Sequence, residues 1–240
     1  VKIARYSYQG AIAFGIVDED ELVVLASDPM FTGFDTTGDR VALADVKLLA
    51  PVIPRSKIVA VMSDQEFVLR PNTVVVGPGD VIVLPAASDR VEIDGQLAII
   101  IGKIAKNVSA AGALSRVFGY TVATVVTAAD LASATRAGAF DTFLPLGPVI
   151  ETEFDEAATA LRGLINDEEF QAVSLADDDR TTEETVSALV AFASSVFTLL
   201  PGDVILAGPM DTPADIVDGD TVSITIAGIG ALVNPVVRPD

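Results

Sequence analysis

The chain has 240 residues, half of them apolar, and carries 34 acidic against 15 basic side chains for a net charge of −19. Phosphate recognition needs clustered Lys and Arg, and here the basic residues stand singly, so nucleic acid and anionic membrane surfaces are excluded as partners. Cysteine and histidine are both absent, which removes disulfides, thiolate or imidazole metal sites and Ser-His-Asp catalysis.

In chain order, "KIARYSY", "AIAFGIVD" and "ELVVLAS" read as short strands, separated by Gln9-Gly10 and an acidic turn at Asp18-Glu19-Asp20. They make a small N-terminal β domain over residues 1–50. The alternating N-terminus lacks the apolar run of a signal peptide, and a cytoplasmic location is expected. "LLAPVIPRSK", with Pro51 and Pro54, reads as a linker into a second domain, residues 51–240.

From Ile58 onward "KIVAVMS", "NTVVVGPGDVIVLP" and "VEIDGQLAIIIGKIA" are strand-like, and "SAAGALSRVFG" is a short helix. "FGYTVATVVTAADL" is a β-branched strand that ends on an acid, Asp130, yet carries no metal-binding or proton-moving side chain from Thr121 to Ala129. "DTFLPLGPVIE" is extended, and "ALRGLINDEEFQAV" is a hairpin turning at Asn166-Asp167. "TVSALVAFASSVFTLLPG" is nearly long enough to span a bilayer. However, Val186, Leu189, Val190, Ala193, Val196, Phe197 and Leu200 fall at helical spacing, with serines mostly opposite. A capping box at Thr181–Glu184 starts this helix and Pro201-Gly202 stops it, so it reads as buried and amphipathic. "PGDVIVL" and "PGDVILA" are tight turns before buried strands rather than phosphate loops or a repeat. The fold class is α+β and β-rich, because helices are too few to cover parallel crossovers.

Three groups of residues bear on chemistry. Glu92, Asp94 and Gln96 alternate along one strand and share a face, a half-site for a hard divalent cation. The plainer reading, favoured on spacing alone, is an acidic strand end in solvent. Arg136, Asp141 and Thr142 read as turn and ion-pair residues. The "GPGD" stretch at Gly77–Asp80 reads as a turn.

Taken in order, "PNTVVVGPGDVIVLP", "VEIDGQLAIIIG", "IGKIAKNVSAAGALSRVFGYTVATVVTAADL", "FDTFLPLGPVIET", "LLPGDVILAG" and "IAGIGALVNPVV" resemble the fumarylacetoacetate hydrolase family over roughly residues 50–237. The resemblance implies a mixed β-roll main domain, a small N-terminal domain and a homodimer. It also implies Mg²⁺- or Mn²⁺-dependent hydrolysis, isomerisation, hydration or decarboxylation of 2-oxo or 1,3-dioxo acids. Set against the family's motifs, the site residues are depleted. Asp94 and Gln96 stand where the family has Glu-x-Glu, and Thr124 and Val125 replace an Asn-Asp pair whose aspartate is the third ligand. Gly138, followed by Ala139, stands where a catalytic lysine precedes the Phe-Asp-Thr-Phe motif.

The family's lid, with its Tyr and His, is nearly all missing between "VAVMSDQEF" and "VLRPNT". Gly208-Pro209-Met210 replaces a Gly-Thr-Pro loop that holds a substrate carboxylate. Arg70 keeps a cation at the lysine of the Lys-Pro-Asn-Thr motif and is the candidate for holding a substrate carboxylate. The expectation is a catalytically degenerate scaffold or binder without a cofactor, pairing with itself or with an active relative. The alternative is a rebuilt enzyme with Mg²⁺ or Mn²⁺ on Glu92, Asp94 and Gln96, helped by Asp64 or Glu66.

Overall fold

The computed structural model describes residues 1–63, 66–153, 160–175, 181–207 and 213–239. Its N-terminal part is a meander of β1 (Lys2–Tyr8), β2 (Ala11–Asp18), β3 (Glu21–Leu25) and β4 (Thr36–Ala42), with a one-turn helix α1 (Pro29–Thr32) before β4 and a short β5 (Lys47–Leu48) folded back on β1. The first three strands lie where alternation places them. β4 has no such signal, because "TTGDRVA" is polar and mostly exposed. It is held by its ladder to β3 and by Arg40, which pairs with Asp18 and with Glu21.

The rest of the chain adds β6 (Ile58–Ser63), β7 (Glu66–Arg70), β8 (Val75–Val76), β9 (Ile82–Val83), β10 (Val91–Ile101), α2 (Ala110–Ala113), β11 (Val117–Ala128), α3 (Ala134–Ala137) and β12 (Leu144–Glu151). There follow β13 (Ala160–Ile165), β14 (Glu168–Ser174), α4 (Thr182–Val196), β15 (Val204–Ala207), β16 (Ala214–Ile216), β17 (Thr221–Ile226) and β18 (Gly230–Val237). The larger sheet runs β4-β3-β2-β1-β12-β11-β10-β15-β6-β7, and a five-stranded sheet runs β14-β13-β17-β18-β9. The architecture is the β-rich α+β fold expected from the sequence.

Two features join the N-terminal meander to the rest. β1 pairs with β12 through Lys2↔Glu151 and Ile3↔Ile150. The segment read as a linker is packed rather than loose: Ala50 and Val52 are buried, as are Pro51 and Pro54. Prolines suit such a connection because they need no partner for a backbone N–H.

β10 and β11 form the longest ladder, and the smaller sheet packs on them through β13, β17 and β18. Both strands are therefore covered on both faces, and β10 buries Ile93, Leu97, Ile99, Ile100 and Ile101 almost completely. At about 1.5–3 kcal/mol for each large aliphatic side chain taken from water, this pair anchors the core.

Helix α4 opens on the expected capping box, with the Thr181 hydroxyl accepting from Glu184 N and the Glu184 carboxylate accepting from Thr181 N. It ends at Val196, before Pro201-Gly202. The Lys106 ammonium donates to the carbonyls of Ser195 and Val196 and so satisfies its last turn. Two details of the sequence reading change accordingly. Val196 and Leu200 are exposed, while Ser187 and Ser194 are buried, the latter accepting from Val108 N. Among the described residues no helix is long and apolar enough to cross a membrane.

The Pro-Gly-Asp stretches are turns, as read, and a third joins them. Asp80, Asp203 and Asp220 each accept, through a side-chain oxygen, the backbone N–H three residues earlier, from Gly77, Leu200 and Val217. Gly79, Gly202 and Gly219 supply the positive φ each turn requires, at 74°, 88° and 89°.

Candidate functional site

The register of β10 against β11 decides which side chains meet. Asp94 lies opposite Val125, Glu92 opposite Thr127 and Gln96 opposite Ala123. In an antiparallel pair, residues directly opposite share a face. Asp94, Gln96, Val125 and Thr127 therefore belong to one side of the sheet.

Asp94 and Gln96 do not face solvent, which corrects the plainer sequence reading; they are 6% and 3% exposed. The reason is the cover on both faces of β10. Gln96 Nε2 donates to Asp94 Oδ2 at 2.8 Å, and Gln171 Nε2 donates to Asp94 Oδ1 at 2.7 Å. Gln171 comes from β14 and was not found from sequence. Its amide also takes the Gly95 N–H at 2.9 Å and donates to Gly95 O at 3.3 Å. A Cβ on Gly95 would meet Gln171 Oε1 at 2.8 Å, so this close approach needs glycine. Both carboxylate oxygens of Asp94 are thus used by neutral amides.

Glu92 is drawn away from this group. It pairs with Arg90, which also bonds Asp215 at 3.0 Å. Glu66 is exposed on β7, while Asp64 and the loop Gly208-Pro209-Met210 lie outside the described residues. Among the described residues no three His, Cys, Asp or Glu side chains come together to hold a metal ion. Among the described residues, one carboxylate bonded by two amides, with an aliphatic side chain opposite, does not fit a hard dication that needs several oxygen donors.

Arg70, at the end of β7, is the unusual group. Its side chain is buried, with the residue only 7% exposed. Nη1 donates to Val126 O at 2.9 Å and Phe143 O at 3.3 Å, and Nη2 donates to Thr127 Oγ1 at 3.4 Å. Nε has no partner among the described residues. Burial lowers the guanidinium pKa to about 10, which leaves it charged at neutral pH. The guanidinium lies directly against Gly138. A cavity of about 70 Å³ is lined by Arg70, Gln96, Val125, Thr127, Met62 and Ala134, among others. The structure brings Arg70, Gln96 and Val125 to one cavity and leaves Glu92 out of it.

Thr124 is buried with its hydroxyl unpartnered among the described residues. Asp130, the acid that closes β11, is a clasp: it accepts from Ser88 Oγ at 2.5 Å and from Asp89 N at 2.9 Å. The Ser88 hydroxyl, followed by the Asp89 N–H, holds its carboxyl below the ordinary range. In the third group it is Thr142 that makes the link, accepting from Val83 N at 2.8 Å, while Ser133 caps α3 ahead of Arg136.

Residues 46–237 match the profile of the fumarylacetoacetate (FAA) hydrolase C-terminal family, and residues 1–51 match an Rv2993c-like N-terminal family. The chain belongs to the fumarylacetoacetate hydrolase family. Protein Rv2993c of Mycobacterium tuberculosis is 39% identical over 269 aligned positions, covering 99% of this chain and 98% of that protein. Since the alignment is longer than the 240-residue chain, the relative carries segments that this chain lacks. A crystal structure of 5-carboxymethyl-2-hydroxymuconate delta-isomerase from Mycobacterium smegmatis superposes with a TM-score of 0.89 at 38% identity, covering 100% of both chains. Maleylpyruvate hydrolase from Sphingobium sp. SYK-6, in complex with manganese(II) and pyruvate, does so with a TM-score of 0.83 at 28% identity, again over 100% of both chains.

Proposed function

We propose that this chain is a metal-independent member of the fumarylacetoacetate hydrolase family, catalytically degenerate and serving as a scaffold or small-molecule binder. The observation that carries the reading is the Asp94 carboxylate bonded by Gln96 and Gln171, with Val125 opposite. A dication would have to displace two amide hydrogen bonds and would gain one carboxylate. Affinity for hard cations follows the number of charged oxygen ligands, so binding is expected to be weak. The residues at 138 and 139, Gly and Ala, carry no acid or base, so the family's proton transfer, typically about 10²–10⁴ in rate, has no evident agent there. A scaffold role suits a homodimer or a pairing with an active relative, in the cytoplasm, and the subunit mass found by light scattering tests the self-association.

The competing reading is a metal-dependent hydrolase, isomerase or decarboxylase of 2-oxo or 1,3-dioxo acids with a rebuilt site. The names of the relatives favour it. Calorimetric titration of the metal-stripped protein with Mn²⁺, with and without oxalate as an enolate mimic, separates the two. No heat at millimolar metal is the expected result. Micromolar binding that disappears in Asp94→Ala would establish the enzyme reading instead.

A further inference from the structure

Arg70 presents a buried positive charge whose hydrogen bonds all go to neutral oxygens: two carbonyls and one hydroxyl. It takes part in none of the ion pairs among the described residues. A desolvated charge without a counter-charge is unfavourable by several kcal/mol, and proteins resolve this by pairing it. The cavity beside Arg70 offers room for a counter-charge that the described residues do not supply. Its other walls include Val125 and Met62, which repel water but not the methyl or hydrogen end of a small carboxylate.

Two further donors lie on the same lining. Thr127 accepts from Arg70 and so keeps its own hydroxyl proton to give. Gln96 has given one amide hydrogen to Asp94 and retains the second.

We propose that the Arg70 cavity is a binding site for one short monoanion, a carboxylate of the formate or acetate class, held by Arg70 with Thr127 and Gln96. This deepens the metal-independent reading and rests on it: the site that meets an anion through a dication in the family meets one directly through a guanidinium here. The volume sets the size limit. About 70 Å³ accommodates a few water-sized groups, which admits formate or acetate and rejects an aromatic acid. A single guanidinium neutralises one charge, so a dicarboxylate would bury its second charge unpaired.

The test is calorimetric titration of the metal-stripped full chain with formate, acetate and benzoate at constant ionic strength, repeated with Mn²⁺ present. Formate and acetate are expected to bind in the millimolar range or tighter, benzoate not at all. Arg70→Met removes the charge, and Ala134→Phe fills the mouth of the cavity from an exposed position without touching the charge. Each is expected to weaken acetate binding by tenfold or more. If Arg70→Met fails to fold, Ala134→Phe carries the comparison. Absence of binding by the wild type, with or without metal, overturns the anion site and leaves the metal-independent reading standing. Retention of binding in a folded variant of either kind also overturns it. Binding that appears only with Mn²⁺ overturns both.

Discussion

A Cβ built on Gly138 would stand 2.7 Å from Cζ of Arg70 and 2.9 Å from its Nε and Nη2, so the guanidinium fills the space a side chain at 138 would need. Gly138 has φ −105°, which any residue can adopt, so its lack of a side chain is a matter of room and not of backbone. In this placement the Arg70 guanidinium excludes a side chain at 138, where the family resemblance places a lysine. Gly138→Ala is expected to destabilise the fold by about 1–3 kcal/mol through overpacking. In an Arg70→Ala background the same change should be close to neutral. Urea unfolding of the four proteins gives the coupling, and additive effects would show that the contact does not govern the exchange.

Arg70 also gives the stability a pH signature. Burial holds its folded pKa at about 10, below the value the guanidinium has in the unfolded chain. Between these values the unfolded chain holds the proton and the folded chain has released it, so this group makes stability rise with pH in that window. Below about pH 10 the burial penalty is present in full, on the order of 3 kcal/mol by linkage. Whatever offset the lost bonds to the Val126 and Phe143 carbonyls impose at pH 7, the stability of Arg70→Met relative to the wild type should fall as pH rises above about pH 10. Chemical denaturation of both proteins across that range checks the sign. A relative stability of the variant that grows with pH would contradict it.

If the metal-independent reading holds, placing carboxylates where Gln96 and Val125 stand should create a dication site. Gln96→Glu with Val125→Asp places three acids around one buried point, since Asp94 adjoins both. Without metal the variant is expected to lose stability, because buried like charges repel. Millimolar Mn²⁺ should restore it, by about 2.7 kcal/mol at a hundredfold excess over Kd. Thermal unfolding with and without Mn²⁺ reads the difference. An equal Mn²⁺ response in the wild type would mean that the original residues already bind metal.

Gln171 holds β10 to β14 through three contacts, one to Asp94 and two to Gly95. Gln171→Ala strands the Gly95 N–H and one Asp94 bond in a buried place, a loss of about 1–3 kcal/mol for each unsatisfied group. Urea midpoints measure it, and hydrogen exchange at the Gly95 amide should accelerate in the variant. A stability within a few tenths of the wild type would remove Gln171 from the structural role assigned to it.

Much of the fold could be read from alternation and turn residues. The hairpin at Asn166-Asp167 and the capping box at Thr181–Glu184 stand where those signals put them. β4 was not legible, because its exposed polar residues are fixed by Arg40 pairing with acids from β2 and β3. In the candidate site, spacing brought out Asp94 and Gln96 as neighbours on one face. It could not show that both are buried, because the cover comes from strands distant in sequence. Gln171 and the Arg70–Gly138 contact arise from residues 76 and 68 positions away in the chain, and no local pattern encodes such pairings.

β7 is the outermost strand at one end of the larger sheet and has only β6 beside it among the described residues. Ala60, Val61, Met62, Val68 and Arg70, which wall much of the small cavity, all ride on this hairpin. An edge hairpin frays at lower free energy than the central ladder of β10 and β11. How long an occupant stays is then a property of this hairpin's breathing. Anything that clamps the hairpin, including a neighbouring subunit adding a strand to its open side, would lengthen residence without touching a single group that contacts the anion.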